Sequence, residues 1–481
     1  MDERGNVLGS GTYEHVPFAS PQAGWAEQSP QDWWRACGHA VRLALQSCGA
    51  TGDEIACVGF SGQMHGASLL DDRGEVVRPA IIWCDQRTEA QSRWLEETFG
   101  RDRLIQLTCN PPLTNFTLTK LLWVRETEPK TWARVRRVLL PKDYVRFRLT
   151  GEYATDVADA SGTLLLDVAR RAWSKEVLDK TGIAAEMLPT LHESPEICCR
   201  ISAEGSAATG LKIGTPVVAG AGDQAAGAVG MGITRAGAVS ATIGTSGVVF
   251  AATDRPSLDP RGRLHTFCHA IPGRWFVMGV TQAAGLSLRW FRDRFGAGAE
   301  DGRDPYERLA EEAGTEPACA QGVFWAPYLM GERTPHVDPN ARAALLGLSA
   351  SHTRAHVIRA ILEGVAFSLR DTFTIFGEIG VLVEEIRLGG GGARSALWRA
   401  IQADAYGHKV ERVRTEEGAA YGAAILAGVG AGAWKSVDDA CAAAVRVSET
   451  IKPDPKRVAA MDQGYRVYRR IYPALREIFA P

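Results

Sequence analysis

The residues in this sequence best placed to do chemistry lie in two stretches about twenty residues apart. The first is Val217-Val-Ala-Gly-Ala-Gly-Asp-Gln-Ala-Ala-Gly-Ala-Val-Gly230. A short strand-like run leads into glycines, a single carboxylate, Asp223, falls at the turn, and a small-residue stretch compatible with a helix follows. A lone carboxylate at a strand end, with few side chains around it, is open to close approach by a substrate. Taken alone it reads equally well as a helix-capping aspartate. The second stretch, Val239-Ser-Ala-Thr-Ile-Gly-Thr-Ser-Gly-Val-Val-Phe250, reads as two β-rich runs joined by Gly244-Thr245-Ser246-Gly247. A glycine- and hydroxyl-rich hairpin turn exposes backbone N–H groups that suit a phosphate. A candidate base and a candidate phosphate turn together point to phosphoryl transfer.

Other polar residues gather where strands are expected to end. Residues 55–60 read as a buried-type strand ending in Ser61-Gly-Gln-Met-His-Gly66, and residues 79–83 as a strand ending in Cys84-Asp-Gln-Arg87. Ligands of open α/β sheets bind at strand ends, so Gln63, His65, Asp85 and Arg87 are candidates to hydrogen-bond a polyol. Singly, His65 and Arg87 read more readily as structural residues. Ser29-Pro-Gln-Asp32 is a helix start, with Ser29 as N-cap and Asp32 in the capping-box place. Helical patterns follow over 88–110, ended by Pro111-Pro112, and over 118–126. Residues 156–163 are polar and loop-like, with nothing that demands chemistry. In the second half, the loop Met330-Gly-Glu-Arg-Thr-Pro-His336 carries Arg333, a candidate phosphate or sugar contact and equally a structural ion pair. A long helix is expected over 352–376, and a strand over 383–388 leads through Gly389-Gly-Gly-Gly-Ala-Arg-Ser395 into another helix. Four glycines between strand and helix let a flat base or a phosphate reach the backbone and the helix N-terminus. Glu416-Glu-Gly-Ala-Ala-Tyr-Gly-Ala-Ala424 is a second small-residue helix start, and the tail from about 454 is expected to pack on the surface.

The bulk properties exclude more than they assign. Of 481 residues, 45% are hydrophobic and 23% charged, and the formal net charge is −2, so neither nucleic acid nor an anionic membrane is favoured as partner. The length suits more than one domain, and a new β-rich unit begins near 234–237. The boundary is therefore placed between domains 1–234 and 235–481. Ten cysteines without C-x-x-C spacing or a zinc pattern read as reduced thiols of a cytoplasmic protein, with no metal ligands among the side chains. No stretch reads as a membrane span or signal peptide.

Several stretches together resemble the FGGY carbohydrate kinase family, which includes xylulokinases, glycerol kinases and gluconate kinases. Gly62-Gln-Met-His-Gly66 resembles a sugar-binding loop typical of xylulokinases, Trp83-Cys-Asp-Gln-Arg87 their next motif with Cys84 where Asn is usual, and Gly222-Asp-Gln-Ala-Ala-Gly227 the catalytic-Asp motif. Ile243-Gly-Thr-Ser-Gly247 is similar to the second phosphate motif, residues 343–363 to the C-terminal signature, and Gly389 to Arg394 to the adenosine motif. The resemblance implies an α/β fold of two ribonuclease H-like (actin-like ATPase) domains with a catalytic cleft between them. It implies ATP and Mg²⁺ as cofactors, a ketopentose such as D-xylulose as substrate, and a homodimer as a candidate assembly. Asp223 matches the general base, Met64 and His65 the sugar-contacting pair, with Gln63, Asp85, Arg87 and Gln224 around the sugar. Gly244, Thr245 and Ser246 would hold phosphates, and Gly390, Gly391, Gly392 and Arg394 would face adenosine. Family members open with a strand, an Asp-x-Gly-Thr turn and a second strand. This sequence shows no such segment, so the first two N-terminal strands are expected to be missing and the natural start to lie upstream. The alternatives are a kinase for another ketose or polyol, or a catalytically impaired sugar- or nucleotide-binding protein.

Overall fold

The structure, a computed structural model, describes residues 1–296, 302–415 and 418–479. The second half is built on a seven-stranded sheet. Its spatial order is His265–Cys268, Trp275–Thr281, Gly247–Thr253, Gly237–Ile243, Val383–Gly389, Val410–Val413 and Val447–Ile451. Gly237–Ile243, Val383–Gly389 and Val410–Val413 run parallel to one another, and the other pairings are antiparallel. Side chains alternate across a strand, and here both sets are apolar. Val239, Ala241 and Ile243, with Val249, Ala251 and Val277, pack toward the long helix Arg354–Glu378. Ala238, Phe250, Ala252, Phe276 and Met278 join a second core with Leu118, Leu121 and Leu122 from the first half. Near-continuous apolar strands are what burial on both faces requires.

The first half carries its strands as short pairs rather than as one broad sheet. Ser61–Gly62 runs parallel to Ala221–Gly222, extended by a Val58–Val217 bridge. Ser68–Leu70 pairs with Arg137–Leu139, and Ala154–Asp156 with Thr190–His192. Among the described residues no strand precedes Glu27–Gln28. Around these pairs pack the helices Pro30–Cys48, Thr117–Thr127 and Pro141–Thr150.

Several local expectations need correction. Ser29 makes no capping bond to its helix; Asp32 instead accepts the Val16 backbone N–H and pairs with Arg35. The stretch 88–110 is two helices, Glu89–Phe99 and Arg101–Thr108, divided at Gly100 rather than by the prolines alone. Residues 157–163, expected to be loop-like, are a buried helical turn. The tail helix Pro455–Tyr468 reaches the core, where the Tyr468 hydroxyl meets that of Tyr328 at 3.0 Å. Glu416 and Glu417 lie outside the described residues, and the helix expected there runs Gly418–Gly430.

That helix explains the second small-residue stretch. It lies against the helix Asp223–Gly230 so closely that a Cβ at Gly422 would overlap the Ala226 carbonyl oxygen. A Cβ at Gly230 would likewise press on the Gly418 carbonyl, whereas Gly227 has open space around it. The two glycines should therefore respond oppositely to alanine. Gly422→Ala is expected to cost about 1–3 kcal/mol through overpacking, while Gly227→Ala should be neutral or stabilise by up to about 1 kcal/mol through helix propensity. Urea unfolding of both variants checks this.

Candidate active site

Asp223 opens its helix immediately after the strand Ala221–Gly222. Strand pairing with Ser61–Gly62 puts Gly222 beside Gly62, the residue before Gln63-Met64-His65. Two segments far apart in sequence are thereby joined at one strand end. A Cβ at Gly222 would lie 2.7 Å from Met64 Cγ and 3.1 Å from Asp159 Oδ1, so any side chain there would have to displace Met64. Burial pushes the Asp223 carboxyl up to about 6, partly opposed by hydrogen bonds from Gln224. A carboxyl titrating there is largely ionised at neutral pH yet basic enough to take a proton.

His65 is fixed by unusual means. Its φ of 67° places it in the left-handed region, sparsely used by residues other than glycine. The strain is held from three sides: Thr117 Oγ1 (3.1 Å) and Lys120 Nζ (2.9 Å) donate to its carbonyl, and its ring Nδ1 meets the Gly162 carbonyl at 2.7 Å. Because a carbonyl only accepts, Nδ1 carries the proton and Nε2 is left as a bare acceptor. Burial, reinforced by the Lys120 charge, pushes the His65 pKa down to about 3, so the ring is neutral at working pH.

Beneath the turn lies a buried ion cluster that sequence reading missed. Lys142 Nζ sits 2.5 Å from Asp143, 2.6 Å from Asp156 and 3.3 Å from Asp159, and Arg146 pairs with Asp143 at 2.9 Å. All five side chains are fully buried. Burial works against the Lys142 charge, but the three carboxylates outweigh it and raise its pKa. Burial also raises Asp159, opposed by Lys142 and reinforced by Asp156, Asp143 and Asp223. Arg146 also donates to the Ala219 carbonyl, tying the cluster to the chain that leads into Asp223. The sequence signals were present as Lys142-Asp143 at a helix start and as Asp156 and Asp159 three residues apart, but nothing local said that they would meet.

The candidate phosphate and adenosine motifs share a cavity of about 790 Å³, lined among others by Gly244, Thr245, Gly391, Gly392, Arg394 and Trp398. Gly244 and Thr245 form the turn between Gly237–Ile243 and Gly247–Thr253, and their carbonyls accept N–H groups of Gly285 and Ala284 (2.8 and 3.0 Å). Gly390 has φ 72°, and its backbone runs against the Ile243 carbonyl, so the glycine motif and the phosphate turn are in contact. Ser246 and Gly390 adjoin this cavity without being among its lining residues.

Not every candidate faces the cleft. Asp85 and Arg87 pair with each other at 2.7 Å, and Arg87 also pairs with Glu27 at 2.6 Å and stacks 3.7 Å over Trp25. Both side chains are essentially fully buried. Their charged groups are engaged by one another, by Glu27 and by the Ala26 N–H. Gln63 donates to Gln28 (2.8 Å) and lines a second hollow with Trp33 and Cys84. Removing Lys142 should expose how far the turn depends on its base. Lys142→Met leaves Asp156 and Asp159 buried without their cation, Asp143 keeping Arg146, and is expected to cost about 3–5 kcal/mol, read by chemical denaturation.

The first 230 residues match the N-terminal domain model of the FGGY family of carbohydrate kinases, and residues 239–431 match the C-terminal domain model. The chain is 38% identical over 472 residues to a xylulose kinase of Bacillus subtilis, covering 98% of this chain and 93% of that one. It is 37% identical over 486 residues to a xylulose kinase of Escherichia coli, covering 100% and 97%. Among solved structures it resembles a xyloylose kinase from Brucella ovis, with a TM-score of 0.91, 36% identity and coverage of 99% and 96%. With both domain models matched and full-length relatives at 37–38% identity, this chain belongs to the FGGY family of carbohydrate kinases and is a sugar kinase of the actin-like fold.

Proposed function

We propose that the chain transfers the γ-phosphoryl group of ATP to the 5-hydroxyl of D-xylulose in xylose catabolism, with Asp223 as general base. The observation that carries this is the Gly222–Asp223 turn. It joins the Met64-His65 loop by strand pairing, and its carboxyl is poised near 6 by burial. The relatives named as xylulose kinases supply the sugar. The division into 1–234 and 235–481 follows the start of the large sheet at Gly237.

In this reading His65 Nε2 accepts from a sugar hydroxyl, and Met64 forms the apolar floor beside Gly222. Asp223 takes the proton of the attacking hydroxyl. The sugar oxygen forms its bond to phosphorus as the bond to the bridging β–γ oxygen breaks, and ADP leaves with that electron pair. Gly244, Thr245 and Ser246 offer backbone N–H groups to the phosphates, while Gly390 to Gly392 and Arg394 border the base and ribose. Positioning and electrostatics supply most of the rate in such transfers. Magnesium prefers to keep several waters and takes one or two carboxylates besides phosphate oxygens. Among the described residues no group of three or more metal-ligating side chains occurs. The residues therefore fit an ion carried in on the nucleotide, with Asp223 as the nearby carboxylate. When bound, that ion neutralises charge on the β- and γ-phosphate oxygens.

Two measurements test the proposal. ADP release with ATP and a panel of D-xylulose, D-ribulose, L-ribulose and glycerol should be strongest with D-xylulose; equal or greater release with another sugar would replace the substrate. Asp223→Asn should lower kcat by about 10²–10⁴-fold, the usual share of a general base. It should do so without loss of stability. Burial raises the Asp223 pKa from its ordinary value of 3.8 to about 6, so the ionised form is disfavoured by folding. The penalty is absent below the unfolded pKa and complete above about pH 6. The Asn variant should accordingly melt at or above the wild-type temperature at pH 8. Near-normal turnover would remove Asp223 as the base.

A further inference from the structure

Arg333, a candidate phosphate or sugar contact by sequence, forms none of the contacts described above. It sits on a loop whose two neighbouring residues are both pinned to the C-terminal end of the strand Trp275–Thr281. Glu332 accepts Thr281 Oγ1 at 2.5 Å and the Gln282 N–H at 3.0 Å. Thr334 donates its N–H to the Val280 carbonyl at 2.9 Å and its hydroxyl to the Arg263 carbonyl at 2.8 Å. Thr281 pairs in turn with Gly247, the residue that closes the Gly244–Ser246 turn. The loop is thus anchored beside the phosphate turn.

The guanidinium between these anchors is half-buried, and among the described residues no ion pair or hydrogen bond holds it. Its nearest carboxylate, Glu332, is buried and raised to about 8, so it is mostly neutral at pH 7. On its other side are groups of the first half and of the strand His265–Cys268. The Arg333 charge depresses His65, Lys120 and His265 alike. His265 Nδ1 is engaged by Asn110 at 3.1 Å, and Lys120 by backbone carbonyls. A cation desolvated between a phosphate turn and a sugar loop, with no anion of its own, is arranged to receive one.

We propose that Arg333 binds the phosphoryl group in transit, contacting its oxygens from the side of the C-terminal domain and holding the phosphate of the newly formed sugar phosphate until release. This rests on the phosphoryl-transfer reading above. It does not depend on which sugar is the acceptor.

The test compares wild type, Arg333→Met and Arg333→Lys with ATP and the sugar that wild type phosphorylates best, and measures inhibition by the corresponding sugar phosphate. For Arg333→Met, kcat is expected to fall about 10²–10³-fold, the cost of losing one donor to developing charge. KM for the unphosphorylated sugar should move less than about threefold, because that sugar carries no anion for the guanidinium. The inhibition constant of the sugar phosphate should rise at least about tenfold, the loss of one charge-assisted contact. Arg333→Lys should recover part of kcat, since it keeps the charge and loses the fork. It also serves as the second variant if the Met protein does not fold. Unchanged kcat and unchanged product inhibition in either variant would overturn the proposal. So would a fall in kcat matched by an equal loss of affinity for the unphosphorylated sugar, which marks a structural role. Wild type preferring another sugar would overturn the D-xylulose assignment alone, and the Arg333 comparison would then run with that sugar.

Discussion

The Lys142 ammonium, buried among Asp143, Asp156 and Asp159, is the interaction on which the site depends. Isolated charges at that depth are prohibitively costly, and the cluster persists because each ion has its counter-ion and because Arg146 spends its remaining donors on the Ala219 and Ala154 carbonyls. Ala219 lies on the chain that runs into Gly222 and Asp223. Gly62, next to the sugar loop, packs against Lys142 itself. A polar network of this kind adds little net stability over an apolar core, but it fixes geometry. Here it fixes where two loops meet.

Close backbone packing then sets the distance between the two halves of the site. The helix Asp223–Gly230 is eight residues long, or roughly 12 Å at the α-helical rise. Its far end reaches Met231, whose sulfur would lie 3.2 Å from a Cβ at Gly389. One short helix thus carries the carboxylate at one end and touches the glycine motif at the other. The small residues of Gly418–Gly430 let it sit deep enough to do so. Rigid placement matters because effective transfer needs reacting atoms aligned within fractions of an ångström.

Much of this was legible in the sequence where the signal is local. The strand–turn–helix at Asp223, the hairpin at Gly244-Thr245 and the glycines from Gly389 follow from backbone chemistry, and each is found where the pattern puts it. What the sequence hid is pairing over long range. Asp156 and Asp159 looked like loop residues because burial of charge depends on a partner, Lys142, fourteen positions before Asp156. Asp85 and Arg87 looked like ligands for the converse reason, since the Glu27 carboxylate that pairs with Arg87 and the Ala26 N–H that Asp85 accepts both lie far upstream. The left-handed conformation of His65 left no mark either, because the groups that hold it come from 117, 120 and 162.

The central claim is that a burial-raised carboxylate at Asp223 is the base, and the pH dependence of kcat/KM for the wild-type chain tests it most directly. The account predicts a plateau at and above neutrality and an acid limb that bends near pH 6, the value to which burial pushes Asp223. His65 should not contribute to that limb, because its own pKa lies near 3. A limb that bends near the ordinary carboxylate value, or a rate independent of pH between 5 and 8, where an unperturbed aspartate at about 3.9 would stay ionised, would contradict it.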